Sequence, residues 1–306
     1  MVVIVAAFAA AGVTPAQAGE IKVSYLYKLS NFTGIIPYAS PKIIVDKTTN
    51  EVYVLTGAGL SIFNSAGMEI YRVDTDPEVG MINDVAVVGD GNVITLTYKN
   101  SVPVITLCNY RLEPIRVIEL ANLPTEFAGF RINKLRFQDG RLYLASYENM
   151  AILITDLNGR FIKGYDLHPL VGKDDKGKAI TEMYGLNLDR EGNMLFVLPP
   201  AGRACKLSPD GKLEMFGKRG NGPGKFGIPG WIVADRAGNY LVCDRLKNVV
   251  IIFDKELQFV KEFGSLGIRE AYLWGPVVIE MDGDGKLYLG QTGSRGISVY
   301  MVSSSD

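Results

Sequence analysis

Short apolar runs separated by polar turns recur along the chain from residue 41 onward. Each copy contains an apolar run, a turn with Asp or Gly, two further runs joined by a loop, and a fourth strand-like segment after another turn. The clearest copy starts at residues 232–235, turns at Gly238 and Asn239, and continues through residues 240–244, 249–253 and 259–263. Several runs alternate between apolar and polar positions, which is typical of half-buried antiparallel strands. Glycine–asparagine pairs stand where tight hairpins need positive φ angles.

The residue just after the first turn of each copy recurs six times, with successive spacings between 42 and 52 residues. The six positions are Asn50, Asn92, Arg141, Asn193, Asn239 and Lys286. A period in the forties with four strands per repeat is typical of propeller blades. The pattern therefore predicts an all-β fold, a six-bladed β-propeller with four-stranded antiparallel blades.

The two ends of the repeat region predict how the ring closes. The sixth copy, residues 276–301, has three strand-like runs, whereas residues 21–29 alternate like a strand that precedes the first copy. We predict that this N-terminal strand lies beside residues 297–300, completes the last blade and removes an exposed sheet edge. The longest insertion, residues 169–181, is rich in Lys, Asp and Gly and is predicted to be a mobile loop.

Residues 1–18 have the composition of a signal peptide. Residues 2–12 are apolar and mostly small, Ala16-Gln17-Ala18 fits a cleavage site, and no Lys or Arg precedes Glu20. The apolar run is too short to span a bilayer. The expected layout is a signal peptide over residues 1–18, one propeller domain over 19–302 and a tail over 303–306, in a protein exported to the periplasm or the cell exterior.

Composition narrows the range of partners. The chain has 306 residues, 47% hydrophobic and 21% charged, with a formal net charge of −1. This balance is ordinary for a globular protein and argues against nucleic acid as a partner, since phosphate binding needs excess Lys and Arg. The three cysteines, Cys108, Cys205 and Cys243, are widely spaced in apolar runs and are expected to be buried.

One glycine-rich segment carries a family resemblance. Residues 217–230, with the sequence GKRGNGPGKFGIPG, are followed by WIVAD at 231–235 and by the NVV of 248–250. This stretch resembles the linker and strands of NHL repeats, and the repeat pattern extends over residues 40–302. The second and third copies depart from it, because Val88 and Phe137 occupy the places of Asp46 and Asp235.

The resemblance implies several activities, because similar propellers include amidating lyases, lactonases and strictosidine-synthase-like enzymes as well as modules that bind protein, RNA or glycans. The single histidine, His168, excludes a three-histidine metal site and is expected at the surface or in a turn. A calcium-dependent lactonase or esterase needs no histidine and remains an alternative. Its candidate ligands are the polar residues near the first strand of each blade, namely Asn83, Asp84, Asn133, Asn187 and Glu280.

Charge is distributed unevenly among the loops after the second and fourth strands of each blade, which open on one face of a propeller. Blades one and two contribute mainly the acidic residues Asp74, Asp76, Glu78 and Glu126. Blades four to six contribute Arg203, Lys218, Arg219, Lys225, Arg245, Lys247, Arg269 and Arg295, with the aromatic residues Tyr184, Trp231, Tyr272 and Trp274. Arginine beside Trp or Tyr is typical of binding hot spots. We therefore favour a non-catalytic module that binds an anionic protein or envelope polysaccharide and needs no cofactor, over the hydrolase and over a purely structural envelope component.

Three further motifs are assigned to structure. Asp282-Gly283-Asp284-Gly285 resembles half of a calcium loop but lacks the downstream Glu and coincides with a first turn. The glycines of residues 217–230 are not followed by Lys-Ser or Lys-Thr, so they do not form a P-loop. Asn31-Phe32-Thr33 is a glycosylation sequon.

Overall fold

The fold, seen in a computed structural model, is a ring of six four-stranded antiparallel sheets. The structure describes residues 20–31, 34–35, 41–57, 59–74, 81–89 and 91–304. Residues 1–18, which were predicted to be a signal peptide, lie outside these residues, as do Phe32 and Thr33 of the sequon, Asp76 and Glu78. The predicted six-bladed propeller is confirmed.

Each sheet forms one blade, and its strands follow one another in the chain. Blade one contains β4 (Lys42–Asp46), β5 (Glu51–Thr56), β6 (Gly59–Phe63) and β7 (Glu69–Asp74), and blade two contains β8 (Ile82–Gly89), β9 (Asn92–Lys99), β10 (Val102–Cys108) and β11 (Pro114–Ile118). Blade three contains β12 (Lys134–Gln138), β13 (Arg141–Ser146), β14 (Ala151–Asp156) and β15 (Phe161–Asp166), and blade four contains β16 (Tyr184–Leu188), β17 (Met194–Leu198), β18 (Arg203–Leu207) and β19 (Leu213–Phe216). Blade five contains β20 (Pro229–Ala234), β21 (Tyr240–Asp244), β22 (Val249–Phe253) and β23 (Phe259–Phe263), and blade six contains β24 (Pro276–Met281), β25 (Lys286–Gln291), β26 (Ile297–Ser304) and β1 (Ile21–Lys28).

The N-terminal strand closes the ring, as predicted. Strand β1 pairs antiparallel with β26, from Ile21 opposite Ser304 to Lys28 opposite Ser298, and forms the outer edge of blade six. The rings of Tyr25 and Tyr300 meet edge-on across this pair, with centroids 5.6 Å apart. The first strand of each blade contacts the first strand of the next, and β24 contacts β4. The sixth blade is therefore built from both ends of the described chain.

The hydrophobic core is divided among the spaces between blades. Six clusters of buried apolar side chains each join two neighbouring blades. The cluster that joins the sixth blade to the first contains Ile43 and Tyr288. Both faces of a blade are thus buried, which explains why strands such as β17 and β22 are apolar throughout rather than alternating.

Aspartates explain the recurring first turn. Asp46, Asp189, Asp235 and Asp282 each end or follow a first strand, and one carboxylate oxygen of each accepts hydrogen bonds from backbone N–H groups of the turn. In blade three, where Phe137 replaces the aspartate, Asp139 and Gly140 both have positive φ and turn the chain instead. The departure from the repeat therefore changes the turn chemistry without changing the blade.

The long insertion after blade three has regular structure that the sequence analysis missed. It contains the helix α1 (His168–Val171), and a bridge joins Lys173 to Ala179 around a turn in which Asp174 accepts from the N–H groups of Lys176 and Lys178. A 3₁₀ turn, Thr125–Phe127, precedes blade three, and two short strands, β2 (Ser30–Asn31) and β3 (Gly34–Ile35), pair between β1 and blade one. None of the helices in the described ranges has the length and apolarity needed to cross a membrane.

Candidate functional site

The upper face is defined here as the side formed by loops after the second and fourth strands of each blade, and the lower face as the side formed by loops after the first and third strands. The axial channel runs between the two faces and is surrounded by the six first strands.

A buried ion pair and a tryptophan fill one part of the axial channel. The Lys134 ammonium donates to Oδ1 of Asp84 over 2.7 Å, and Oδ2 of Asp84 accepts from the backbone N–H of Leu135 over 2.7 Å. Asp84 is completely buried and Lys134 is 2% exposed. Burial, followed by the positive charge of Arg136, lowers the pKa of Lys134 to about 8, against the opposing effect of Asp84.

Trp231 reaches toward these cations from blade five. Its ring centroid lies 5.3 Å from the Lys134 ammonium and 5.8 Å from the Arg136 guanidinium, which gives two cation–π contacts. A Cβ on Gly185 would lie 3.4 Å from the indole, which is an ordinary contact distance, and the φ of 72° is what favours glycine there. The indole Nε1 is buried and has no acceptor among the described residues.

A second charged network joins blades three, four and six. The Arg136 guanidinium donates to Oε1 of Glu280, and the Asn187 amide donates to Oε2 over 3.0 Å. The three side chains are 7%, 4% and 6% exposed. Since blades three and six face each other across a six-membered ring, the ion pair spans the channel and neutralises Glu280.

This network forms the floor of a funnel that opens on the lower face. The funnel has a volume of about 260 Å³ and is lined by the ends of the first strands and the turns that follow them. Its walls include the apolar residues Ile44, Val87 and Leu188, and Lys47 stands in the turn after β4. Burial of the Lys47 ammonium lowers its pKa, with Glu280 opposing and Arg136 adding to the effect.

The polar residues predicted near the first strands do not form one cluster. Asn187 and Glu280 come together, whereas Asp84 pairs with Lys134. Asn83 offers its carbonyl to the Lys42 ammonium, and the Asn133 side chain accepts from the backbone N–H of Tyr147 over 2.7 Å. In the described ranges, no group of three or more His, Cys, Asp and Glu side chains is placed to bind a metal ion.

Sequence reasoning missed Lys134, Arg136 and Lys47. Lys134 and Arg136 alternate with Leu135 and Phe137 in β12, a pattern that resembles any half-exposed strand. The available signal was the presence of two cationic residues in the first strand of a blade. Because the closed ring buries part of that strand against the axis, cations there need buried partners.

Four of the eight predicted binding cations brace loops of the upper face. Arg203 donates to the carbonyl of Gly217, and Arg219 donates to the carbonyls of Pro199 and Pro200. Lys247 donates to the carbonyls of Gly222 and Lys225 and forms a 2.8 Å ion pair with Glu262. Arg295 donates to the carbonyls of Ile268 and Arg269. These bonds tie the loops together at their bases.

The other four predicted cations have free side chains. Lys218, Arg245 and Arg269 are exposed and Lys225 is half-buried, and their side-chain nitrogens form no ion pair or hydrogen bond with the rest of the described chain. We call Lys218, Lys225, Arg245 and Arg269 the free cations of the upper face.

Aromatic and apolar side chains lie in the same loops as the free cations. Tyr184 and Trp274 are 43% and 44% exposed, and Leu246 and Ile268 are 61% and 83% exposed. Burial and the neighbouring Glu182 raise the pKa of the Tyr184 phenol, and the positive charge of Arg245 opposes this shift. Tyr272 is half-buried, and Trp231 lies in β20 at the axis rather than in a loop.

On the acidic side of the upper face, Asp74 forms a 2.8 Å ion pair with Arg72, and Glu126 lies in the 3₁₀ turn before blade three.

The remaining motifs have structural roles. Asp282 accepts from the N–H groups of Asp284 and Lys286, which confirms the turn assignment, and His168 is exposed at the start of α1. All three cysteines are buried and unpaired, and burial raises the pKa of Cys243 to about 12.

No known family model matches this chain, and no curated protein is similar to it in sequence. Its fold is similar to that of a structural-genomics protein of unknown function from Bacteroides thetaiotaomicron, with 16% identity and a TM-score of 0.65, over 93% of this chain and 76% of the other. It is also similar to an auxiliary nutrient binding protein from Bacteroides ovatus, with 13% identity and a TM-score of 0.61, over 94% and 78% of the two chains. A virginiamycin B lyase from Staphylococcus aureus has 13% identity and a TM-score of 0.58, over 92% and 99%. At these identities the similarity shows the propeller fold and leaves the NHL family assignment unconfirmed.

Proposed function

We propose that this chain is an exported, non-catalytic NHL-type binding module, and that its upper face binds an acidic protein or an anionic envelope polysaccharide. Export would follow removal of residues 1–18, leaving a domain over residues 19–302. The nutrient-binding neighbour supports a binding role for a propeller of this shape.

The observation that carries the proposal is the set of four free cations beside exposed aromatic rings. Because Arg203, Arg219, Lys247 and Arg295 brace the loops, the positions of the free cations are fixed by the scaffold. An arrangement of charge held in place before binding loses little entropy when a partner docks. Exposed Tyr184 and Trp274 supply flat surfaces that stack on sugars or pack against a protein.

The experiment is a charge reversal restricted to the free cations. We expect Lys218→Glu, Arg245→Glu and Arg269→Glu together to weaken binding to polygalacturonate or polyglutamate by about tenfold or more, since each lost contact is worth roughly 0.2–1 kcal/mol and is replaced by repulsion. Binding is measured by biolayer interferometry with the mature protein, with neutral dextran as the reference surface.

A matched control reverses three cations of the lower face, Lys212, Arg236 and Lys255, all of which are exposed. It changes the net charge equally, so a purely non-specific attraction would weaken equally in both variants. Full retention of polyanion binding by the upper-face variant, or equal losses in both, would contradict the proposal. Binding should also weaken with added salt, because the screening length is roughly 8 Å at physiological ionic strength.

The alternative of a calcium-dependent hydrolase has less support from the geometry. Calcium takes six to eight oxygen ligands, whereas the two axial carboxylates, Asp84 and Glu280, are already paired with Lys134 and Arg136. Stoichiometric calcium in the purified protein, together with chelator-sensitive hydrolysis of a lactone panel, would favour the enzyme over the binding module.

A further inference from the structure

The funnel on the lower face contains a cation without a partner. Arg136 and Asn187 satisfy both oxygens of Glu280, so the floor of the funnel is neutral. Lys47 forms no ion pair or hydrogen bond through its ammonium within the described part of the chain. Lys47 is an exposed residue at the rim, and its ammonium lies within electrostatic range of Glu280, Arg136, Arg190 and Asp189. A partly desolvated ammonium without a partner favours an anionic occupant.

The walls of the funnel indicate that the rest of the occupant is apolar. Ile44 and Leu188 are buried core residues whose edges line the cavity, and the half-buried Val87 of β8 also lines it. Two further carboxylates lie at the rim, but Asp46 is engaged by the N–H groups of Thr48 and Thr49, and Asp139 is exposed to solvent. The cavity of about 260 Å³ is near the lower end of small-molecule sites.

We propose that this funnel is a binding site for a small organic carboxylate, which pairs with Lys47 and places its apolar body against Ile44, Val87 and Leu188. The Arg136–Glu280–Asn187 network at the floor is held rigidly by hydrogen bonds from three blades and provides polar contacts at the inner end of the ligand. This site lies on the face opposite the free cations and does not depend on the proposed function.

The test uses three probes of nearly equal shape and different charge: benzoate, benzamide and benzamidine. Binding to the mature protein is measured by isothermal titration calorimetry and by ligand-observed NMR. We expect benzoate to bind at least tenfold more tightly than benzamide and benzamidine. Preference for benzamidine would show that the carboxylates of the funnel dominate and would overturn the proposal, as would equal binding of benzoate and benzamide. Inorganic phosphate that binds as tightly as benzoate would overturn the role of the apolar wall.

Two variants assign the binding to Lys47. We expect Lys47→Met to weaken benzoate at least tenfold and Lys47→Arg to retain binding within about threefold, since the positive charge is kept. The control Lys212→Met removes an exposed lysine of the same face outside the funnel and should leave benzoate binding unchanged. Unchanged binding in Lys47→Met would overturn the proposal, whereas the upper-face charge reversal should not affect benzoate, so the two proposals fail independently.

Discussion

The buried pair of Asp84 and Lys134 allows a prediction whose size depends on pH. Removing one member of a buried ion pair costs about 3–5 kcal/mol, because the remaining charge is left in a poorly solvated site. The two members differ, however, because only a base gives up its charge as the pH rises. Burial already lowers the pKa of Lys134 to about 8, so its ammonium can release its proton between pH 7 and pH 9.

This difference sets the loss in the free energy of unfolding that we expect for each single substitution. Lys134→Met leaves a carboxylate that keeps the N–H of Leu135 at 2.7 Å. We expect a loss of about 3–5 kcal/mol at pH 7 and about 1 kcal/mol more at pH 9, where wild-type Lys134 contributes more to stability. In Asp84→Asn the ammonium can release its proton, and with an ordinary pKa of 10.5 this release costs about 5 kcal/mol at pH 7 and about 2 kcal/mol at pH 9. The charge penalty of Asp84→Asn should therefore fall by about half or more between the two pH values.

The wild-type protein provides the sign of the effect. Since the folded pKa of Lys134 is about 8 and the unfolded pKa is near 10.5, the unfolded chain holds more protons between these values. The contribution of Lys134 to the free energy of unfolding therefore rises with pH across that window. Referring each variant to wild type at the same pH removes the titration of the other groups from the comparison.

The assay is urea unfolding followed by far-UV circular dichroism and by tryptophan fluorescence. Trp231 lies 5.3 Å from the Lys134 ammonium, so its emission reports on the site itself. Lys255→Met, at an exposed position, serves as the control and should change stability by less than about 0.5 kcal/mol. The reasoning is refuted if either single substitution costs less than about 1 kcal/mol at pH 7, or if the Asp84→Asn penalty is the same at pH 9.

Two further predictions concern the turns and the closure of the ring. A Cβ on Gly217 would lie 2.1 Å from the buried ring of Phe226, whereas one on Gly140 would meet nothing within 4 Å, although the two φ angles are similar at 67° and 74°. In urea unfolding we expect Gly140→Ala to cost about 1–2 kcal/mol and Gly217→Ala about 1–3 kcal/mol more, and equal costs would contradict the clash. Removal of residues 1–29 exposes the edge of β26, so we expect concentration-dependent association in size-exclusion chromatography. As a control, removal of residues 1–19 alone should leave a monomer. A chain of residues 30–306 that stays monomeric with unchanged stability would contradict closure of the ring by β1.

The fold could be predicted because its signal is local and repeated. Asp46, Asp189, Asp235 and Asp282 act on backbone groups two to four residues away, so their spacing in the sequence reports the turns directly. The pairing of β1 with β26 is not local, but it followed from counting strands, since the sixth copy lacked one.

The axial networks could not be predicted in the same way, because their partners are far apart in the sequence. Arg136 and Glu280 are separated by 144 residues, and their contact depends on the ring being closed with six blades. In a strand such as β12, charged residues at alternate positions usually face water. Only the closed ring converts those positions into buried ones, where Lys134 and Arg136 must find partners and Trp231 can lie against both.

Some upper-face cations bond to loop carbonyl groups and others are free, and the sequence does not show which cations belong to which group. Arg269 and Arg295 have the same charge and belong to loops that touch, yet Arg295 donates to two backbone carbonyls and Arg269 presents its guanidinium to solvent. The difference depends on where loop carbonyls point, which the identity of neighbouring side chains does not determine. Reversing Arg295 would therefore change loop stability together with any binding, since its two bonds hold the segment that carries Trp274. The free cations lack such bonds, and for that reason their reversal measures recognition of a partner rather than the integrity of the face.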